Sequence, residues 1–304
     1  MYLIKGLQFS LAILLLLVAD KGFAQKKYTI ASVGYMGSYN IKYADPDISS
    51  DCGYLSLNLS LPIVINKKTA IVTGIRANNW TVNYEPEQIW PTSFYSLGLT
   101  LGVNHKFSDK NTLLFVVLPK MNSDYKTINN NAFQLGFLST YSIRKNENFL
   151  WKVGMYYNEE TYGSFVVPIF GLDWDVNNKL NIKGDLPIHG KVNYELNEGF
   201  SSGLGYVALV SSYRLSEFND SYTSRFAIEP FLYADVKLFK NTYFNVKAGY
   251  TMSRNYPIYE KDDKIDWQLS FMKFGDDREQ LNPVIMNGAF VEFGLAYKID
   301  IVED

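Results

Sequence analysis

Beyond residue 25 the chain holds no apolar run approaching the ~20 residues that a membrane-crossing helix needs, which excludes a helical membrane protein. Cysteine occurs once, at Cys52, so no disulfide can form within the chain. Because Cys52 lies far from the leader's end, a lipid anchor on a mature N-terminal cysteine is not supported either. Only two histidines, His105 and His189, are available for general acid–base work, and no Ser/His/acid arrangement accompanies them. Neither sign of charge dominates: Lys+Arg total 29 and Asp+Glu 31, a net charge of −2 that gives no footing for nucleic acid or an anionic surface.

What the chain does have is aromatics, 23 Tyr and 20 Phe, and strict alternation. In residues 95–107 the odd positions Tyr95, Leu97, Leu99, Leu101, Val103 and Phe107 are apolar, and the even positions Ser96, Gly98, Thr100, Gly102, Asn104 and Lys106 are small or polar. Side chains of a strand point alternately to its two faces, so this stretch has one apolar and one wet face. It is about twice the usual strand length and fits the ~9–11 tilted residues of a membrane β-strand. Aromatics at its two ends suit the two membrane interfaces.

The same design recurs through residues 28–40, 53–65, 69–84, 112–120, 132–144, 149–158, 165–176, 203–215, 222–239, 242–255 and 286–301. Short turns (66–68, 108–111, 145–148, 177–178, 240–241) alternate with longer polar loops (41–52, 85–92, 121–131, 159–164, 216–221, 256–285). Outer-membrane barrels have short periplasmic turns and longer outside loops. The expectation is an all-β, antiparallel up-and-down barrel of about 12 strands in the cell outer membrane. Residues 179–197 hold two arms too short for an ordinary crossing; read as spanning strands they raise the count to 14, and a periplasmic excursion is the preferred reading.

The N-terminus reads as a secretory signal: Lys5, an apolar core over 11–19, and Gly22-Phe23-Ala24 before cleavage. The domains are then 1–24, signal peptide, and 25–304, barrel. With this organisation, Leu186, Pro187, Val192, Tyr194 and Leu196 resemble a recurring feature of the uncharacterised outer-membrane β-barrel families of Gram-negative bacteria. The resemblance implies location and fold without a defined substrate. One departure is the ending, where Tyr297 is the aromatic nearest the C-terminus; many such barrels end on an aromatic that assists assembly.

With the apolar face outward, the lumen-lining candidates are Arg76, Lys152, Asp173, Arg225, Glu229, Asp235, Lys237, Lys247 and Glu292. A sign-selective pore wants a ring of one charge, whereas mixed signs can pair across a lumen and close it. Pro230 lacks an N–H and calls for a bulge or a gap in its ladder. Residues 45–51 place Asp45, Asp47, Ser49 and Asp51 at the start of a calcium-loop spacing, but lack the later glycine and glutamate; a solvated acidic loop is preferred. Residues 256–285 are acidic yet contain Trp267, Phe271 and Phe274, candidates for a lid folded into the mouth.

No metal or cofactor is expected, and the partners implied are outer-membrane lipids, the barrel-assembly machinery and a small solute. Two functions stand: a small-solute channel, and a structural or surface-interaction barrel with a plugged lumen. A lipid-modifying enzyme ranks third, and a non-enzymatic role is expected.

Overall fold

The computed structural model describes residues 27–126, 132–216, 218 and 221–300. The leader expected over residues 1–24 lies outside these. No α-helix occurs among the described residues. The strands are β1 (Lys27–Lys42), β2 (Ser49–Asn66), β3 (Thr69–Glu85), β4 (Ser93–Lys106), β5 (Asn111–Ser123), β6 (Phe133–Asn146), β7 (Phe149–Glu160) and β8 (Gly163–Asp175). They continue as β9 (Leu180–Leu186), β10 (His189–Asn197), β11 (Phe200–Leu215), β12 (Ser221–Phe239) and β13 (Thr242–Asn255), then the short β14 (Ile258–Tyr259), β15 (Trp267–Leu269) and β16 (Met272–Phe274), and finally β17 (Gly288–Asp300).

Strands β1 to β13 pair in chain order, β13 pairs with β17, and β17 pairs back with β1 from Lys27↔Asp300 to Gly37↔Val291. The result is a closed antiparallel barrel of 14 strands. The fourteen-strand alternative is therefore the one adopted. Residues 179–197 are not a periplasmic excursion: β9 and β10 form a hairpin set into the wall between β8 and β11. The physical reason is the ladder itself, since β8 and β11 cannot reach each other and their backbone groups need partners.

The alternation sets the two faces. Leu97, Leu99, Leu101 and Val103 of β4 are exposed outward, as are Leu55 and Leu57 of β2, Phe115 of β5 and Phe293 and Leu295 of β17. Met36, Trp80, Val116, Ile169 and Tyr213 point inward and are buried. Rings stack along the outer wall from Phe115 to Phe137 to Tyr157. The rim with turns such as 67–68 and 240–241 is called the turn rim, and the opposite one the loop rim.

Two local details follow from the sequence. Opposite Pro230, the β12–β13 ladder runs from Ile228↔Met252 to Phe231↔Gly249 and skips Glu229 and Pro230, the gap that a missing N–H demands. Residues 159–164 form a tight turn in place of a loop, with β7 ending at Glu160 and β8 starting at Gly163. Gly163 has φ +134, and a Cβ there would meet the Ile265 carbonyl oxygen at 2.7 Å, so only glycine suits this corner.

Replacing outward Leu101 by Arg should cost ~2–4 kcal/mol in lipid, the range for a cation at the midplane of a barrel wall. Replacing inward Thr100 by Arg should cost much less. Denaturant unfolding of both variants in the same vesicles measures the difference.

Candidate functional site

The interior is the candidate site, and it changes character from one rim to the other. At the loop rim the last residues of β11 leave the wall and cross inward. Ser212 and Leu215 are fully buried, and Tyr213 and Arg214 nearly so, which means that both faces of the strand are covered. On one face Ser212 donates from its N–H (2.9 Å) and its hydroxyl (2.6 Å) to Oε2 of Glu160. Its carbonyl accepts from Asn122 Nδ2 and Gln134 Nε2, both at 3.0 Å. Glu160 also takes Lys120 Nζ at 2.9 Å and Asn158 Nδ2 at 2.8 Å. The free edge of β11 is thus served by side chains of β5, β6 and β7, and the Asp124 N–H bonds the Arg214 carbonyl at 3.0 Å.

On the other face Tyr213 joins Met36, Trp80 and Phe290 in an aromatic layer, with Tyr54, Phe94 and Phe231 against it. The Arg225 guanidinium lies 3.7 Å over the Trp80 ring and pairs with Glu229 at 2.9 Å. Its Nε donates to the Tyr256 hydroxyl at 3.3 Å. A desolvated cation over tryptophan contributes ~2 kcal/mol, and the ion pair satisfies the charge that burial would otherwise strand. Above this layer Ile41, Tyr43, Ile48, Cys52, Val82 and Ile285 form a second apolar cluster.

Below the closure lie two polar spaces. The nearer, about 210 Å³, is bordered by Arg76, Lys120, Tyr156, Asn158, Tyr213 and Arg225. The farther, about 360 Å³ and near the turn rim, is bordered among others by Lys27, Asp173, Lys183, Lys191, Asp235 and Lys298. Two ion pairs cross it, Lys298 to Asp235 at 2.7 Å and Lys27 to Glu195 at 3.7 Å, and the Asn181 amide donates to both Asp173 (2.8 Å) and Asp175 (2.7 Å). Lys191 rests 3.7 Å over the Tyr233 ring.

Each candidate from the sequence has a place in this scheme. Arg76 borders the nearer space, and Asp173 and Asp235 the farther. Lys152 pairs with Asp185 at 3.0 Å, Lys247 with Glu292 at 2.7 Å, and Arg225 with Glu229 in the closure. Lys237 is exposed near the end of β12 at the turn rim. Trp267 and Phe274 stack face to face at 4.3 Å, on a ribbon paired to the edge of β8 and not across the mouth; Phe271 is exposed beside them. His105 accepts or donates at Thr69 Oγ1 (2.9 Å), and His189 lies 3.5 Å from Asp185. Asp45 and Asp51 accept from the Asp47 and Asn40 N–H groups, capping their own turn. Among the described residues no three acids, His or Cys are grouped to hold a metal.

Sequence reasoning missed Glu160, Ser212, Gln134 and Asn122. One signal was present: alternation fails over Ser211-Ser212-Tyr213-Arg214-Leu215, as expected of a strand buried on both faces.

In the segment 256–285, Arg278 forks onto Asp276 at 2.7 and 3.0 Å, donates to the Tyr222 hydroxyl at 3.1 Å and lies 4.2 Å over Tyr259. The Arg278 hydrogen bonds hold the Asp276 carboxyl at about 2, against the opposing push of burial. A carboxylate held below its ordinary 3.8 stabilises the folded segment above that pH and ceases to as pH falls through about 2.

Two outcomes follow. Glu160→Ala should destabilise the barrel by ~3–5 kcal/mol, since it strands Lys120 and the Ser212 N–H, with Glu160→Gln losing less; denaturant midpoints measure this. Pepsin nicking of residues 256–285 should rise as pH falls from 3.8 towards about 2. In Asp276→Asn that rise should already be present at the upper end of the range.

The family described as "Domain of unknown function (DUF6268)" matches residues 25–297. No curated protein matches the chain. Among solved structures the chain is similar to the COG4313 outer membrane channel from Pseudomonas putida F1, at 9% identity and TM-score 0.47, covering 93% of this chain and 100% of that one. It is also similar to the NanC porin (11%, TM-score 0.38, covering 88% and 100%). The TodX monoaromatic hydrocarbon channel deltaS2 mutant is a third (8%, TM-score 0.41, covering 92% and 91%).

Proposed function

The chain belongs to the DUF6268 family, and we propose that it is an outer-membrane barrel closed by its own wall, a structural or surface-interaction protein and not an open pore. The observation that carries this reading is the two-sided burial of residues 212–215 of β11, pinned by Glu160 on one face and packed against Trp80 on the other. The outward apolar band supports residence in the outer membrane, with the turn rim towards the periplasm. Membrane lipids and the barrel-assembly machinery are then its partners.

A second reading, passage of a small solute, is favoured by the two polar spaces beneath the closure. Their mixed charges suit a polar solute entering from the periplasmic side. Passage through the mouth then requires residues 211–215 to move.

Single-channel recording in planar bilayers separates the two. The wild-type protein should show no steps, and Trp80→Ala/Tyr213→Ala, which removes two rings of the aromatic layer, should show them. Steady steps from the folded wild type would overturn the closed reading in favour of solute passage. Their cation/anion ratio would then report which lumenal charges govern it.

A further inference from the structure

The hairpin β9–β10 is shorter than every other strand pair of the ring. Its pairing with β8 ends at Phe170↔Leu186, and its pairing with β11 at His189↔Val207, followed by one bond from the Ala208 N–H to the Ile188 carbonyl (2.8 Å for the turn's own Ile188 N–H to Asp185, 2.7 Å for this one). Towards the loop rim, the wall between β8 and β11 therefore has a notch. In a bilayer a notch is costly, because acyl chains offer nothing to exposed backbone N–H and C=O groups.

The two edges of the notch are finished differently. That of β11 turns inward to Glu160, Asn122 and Gln134. That of β8 receives β15 in parallel, through Trp267↔Ser164, Gln268↔Phe165 and Leu269↔Val166, and the Ser270 N–H bonds the Val166 carbonyl at 2.8 Å. Since β8 runs from the loop rim towards the turn rim, a parallel β15 descends along the wall, turns at Ser270, and returns as β16. The ribbon also keeps the barrel's face rule. Gln268 and Phe165 are buried inward, while Trp267, Met272 and Phe274 are exposed on the side where Phe170 and Leu186 lie exposed below. Phe271, at the tip, is 70% exposed. Behind the ribbon, Tyr162, Tyr222, Tyr259 and Ile265 fill the notch with Val210 against them.

An exposed cluster of two phenylalanines, a tryptophan and a methionine has no rationale in water, and it is continuous with the outward apolar band. We propose that residues 267–274 are a piece of membrane wall supplied by a loop, with Trp267, Phe271, Met272 and Phe274 against the acyl chains of the outer leaflet. The ribbon is thus a lipid-contact surface and not an extracellular lid. The proposal rests on the outer-membrane reading above, and its test keeps the two apart.

Phe271→Cys, Leu99→Cys and Ile89→Cys are made in a Cys52→Ala background, labelled with an environment-sensitive fluorophore and refolded into phosphatidylcholine vesicles. Leu99 marks the outward face of β4, and Ile89, exposed in the 86–92 loop, marks water. Each label is challenged with a nitroxide carried on the lipid chains and with aqueous iodide. The Phe271 label should match Leu99: blue-shifted emission, strong loss to the lipid nitroxide and little to iodide. A Phe271 label that matches Ile89 while Leu99 is quenched from the lipid overturns the proposal. Iodide quenching of Leu99 itself overturns the membrane reading beneath it. If Phe271→Cys does not refold, Met272→Cys on the same face replaces it with the same expected and overturning results.

Discussion

Every backbone N–H and C=O in a wall without water must find a partner within the protein, and the whole molecule is arranged around that demand. Closing β17 onto β1 removes the two edges an open sheet would leave. Where the ring thins, at the short β9–β10 hairpin, edges reappear part-way up and each is finished by a separate device. One edge borrows polar side chains from β5, β6 and β7; the other borrows a strand from the segment that joins β13 to β17. The tight corner at Gly163 and the inward lean of β11 are the local geometry of those two repairs.

Charge follows the same logic in the interior. Arg225, Asp235, Lys247, Lys152 and Glu160 are each paired at 2.7–3.0 Å. Isolated, such groups would have to shed their charge or draw in water; here they are matched within one strand (Arg225–Glu229), between adjacent strands (Lys247–Glu292) or across an intervening strand (Lys120–Glu160, Lys152–Asp185, Lys298–Asp235). A ring of one sign would have forced the interior open. The mixed set lets it close, and the aromatic layer of Trp80, Tyr213 and Phe290 completes the closure where the charges stop.

Much of this was legible in the chain. Alternation over 95–107 marks the apolar, exposed face of β4, because period-two patterning is a direct record of which side is wet; of the odd positions of β12 expected in the lumen, Arg225, Glu229 and Asp235 are buried and Lys237 is exposed. Other features left weaker traces. The arms 180–186 and 189–197 are too short to pass a length test for spanning, yet they are wall, because the deficit is made up from a distant segment that length cannot reveal. Glu160 looked like a loop residue because its turn is only two residues long. Ser212 carried no outward sign of its role beyond the lapse of alternation around it. Trp267 and Phe274 announced that something apolar must be covered, but their strand partner is about a hundred residues away, and no local pattern points to it.

The closure by β11 has a mechanical side. A separate plug domain can be pulled out or excised while the surrounding barrel stays whole. Here the stopper is a stretch of the hoop, hydrogen-bonded along its other edge to β12 through Leu215↔Ser221. It cannot be withdrawn as an object. Clearing the mouth means unrolling part of the cylinder, so aperture and structural integrity draw on the same bonds.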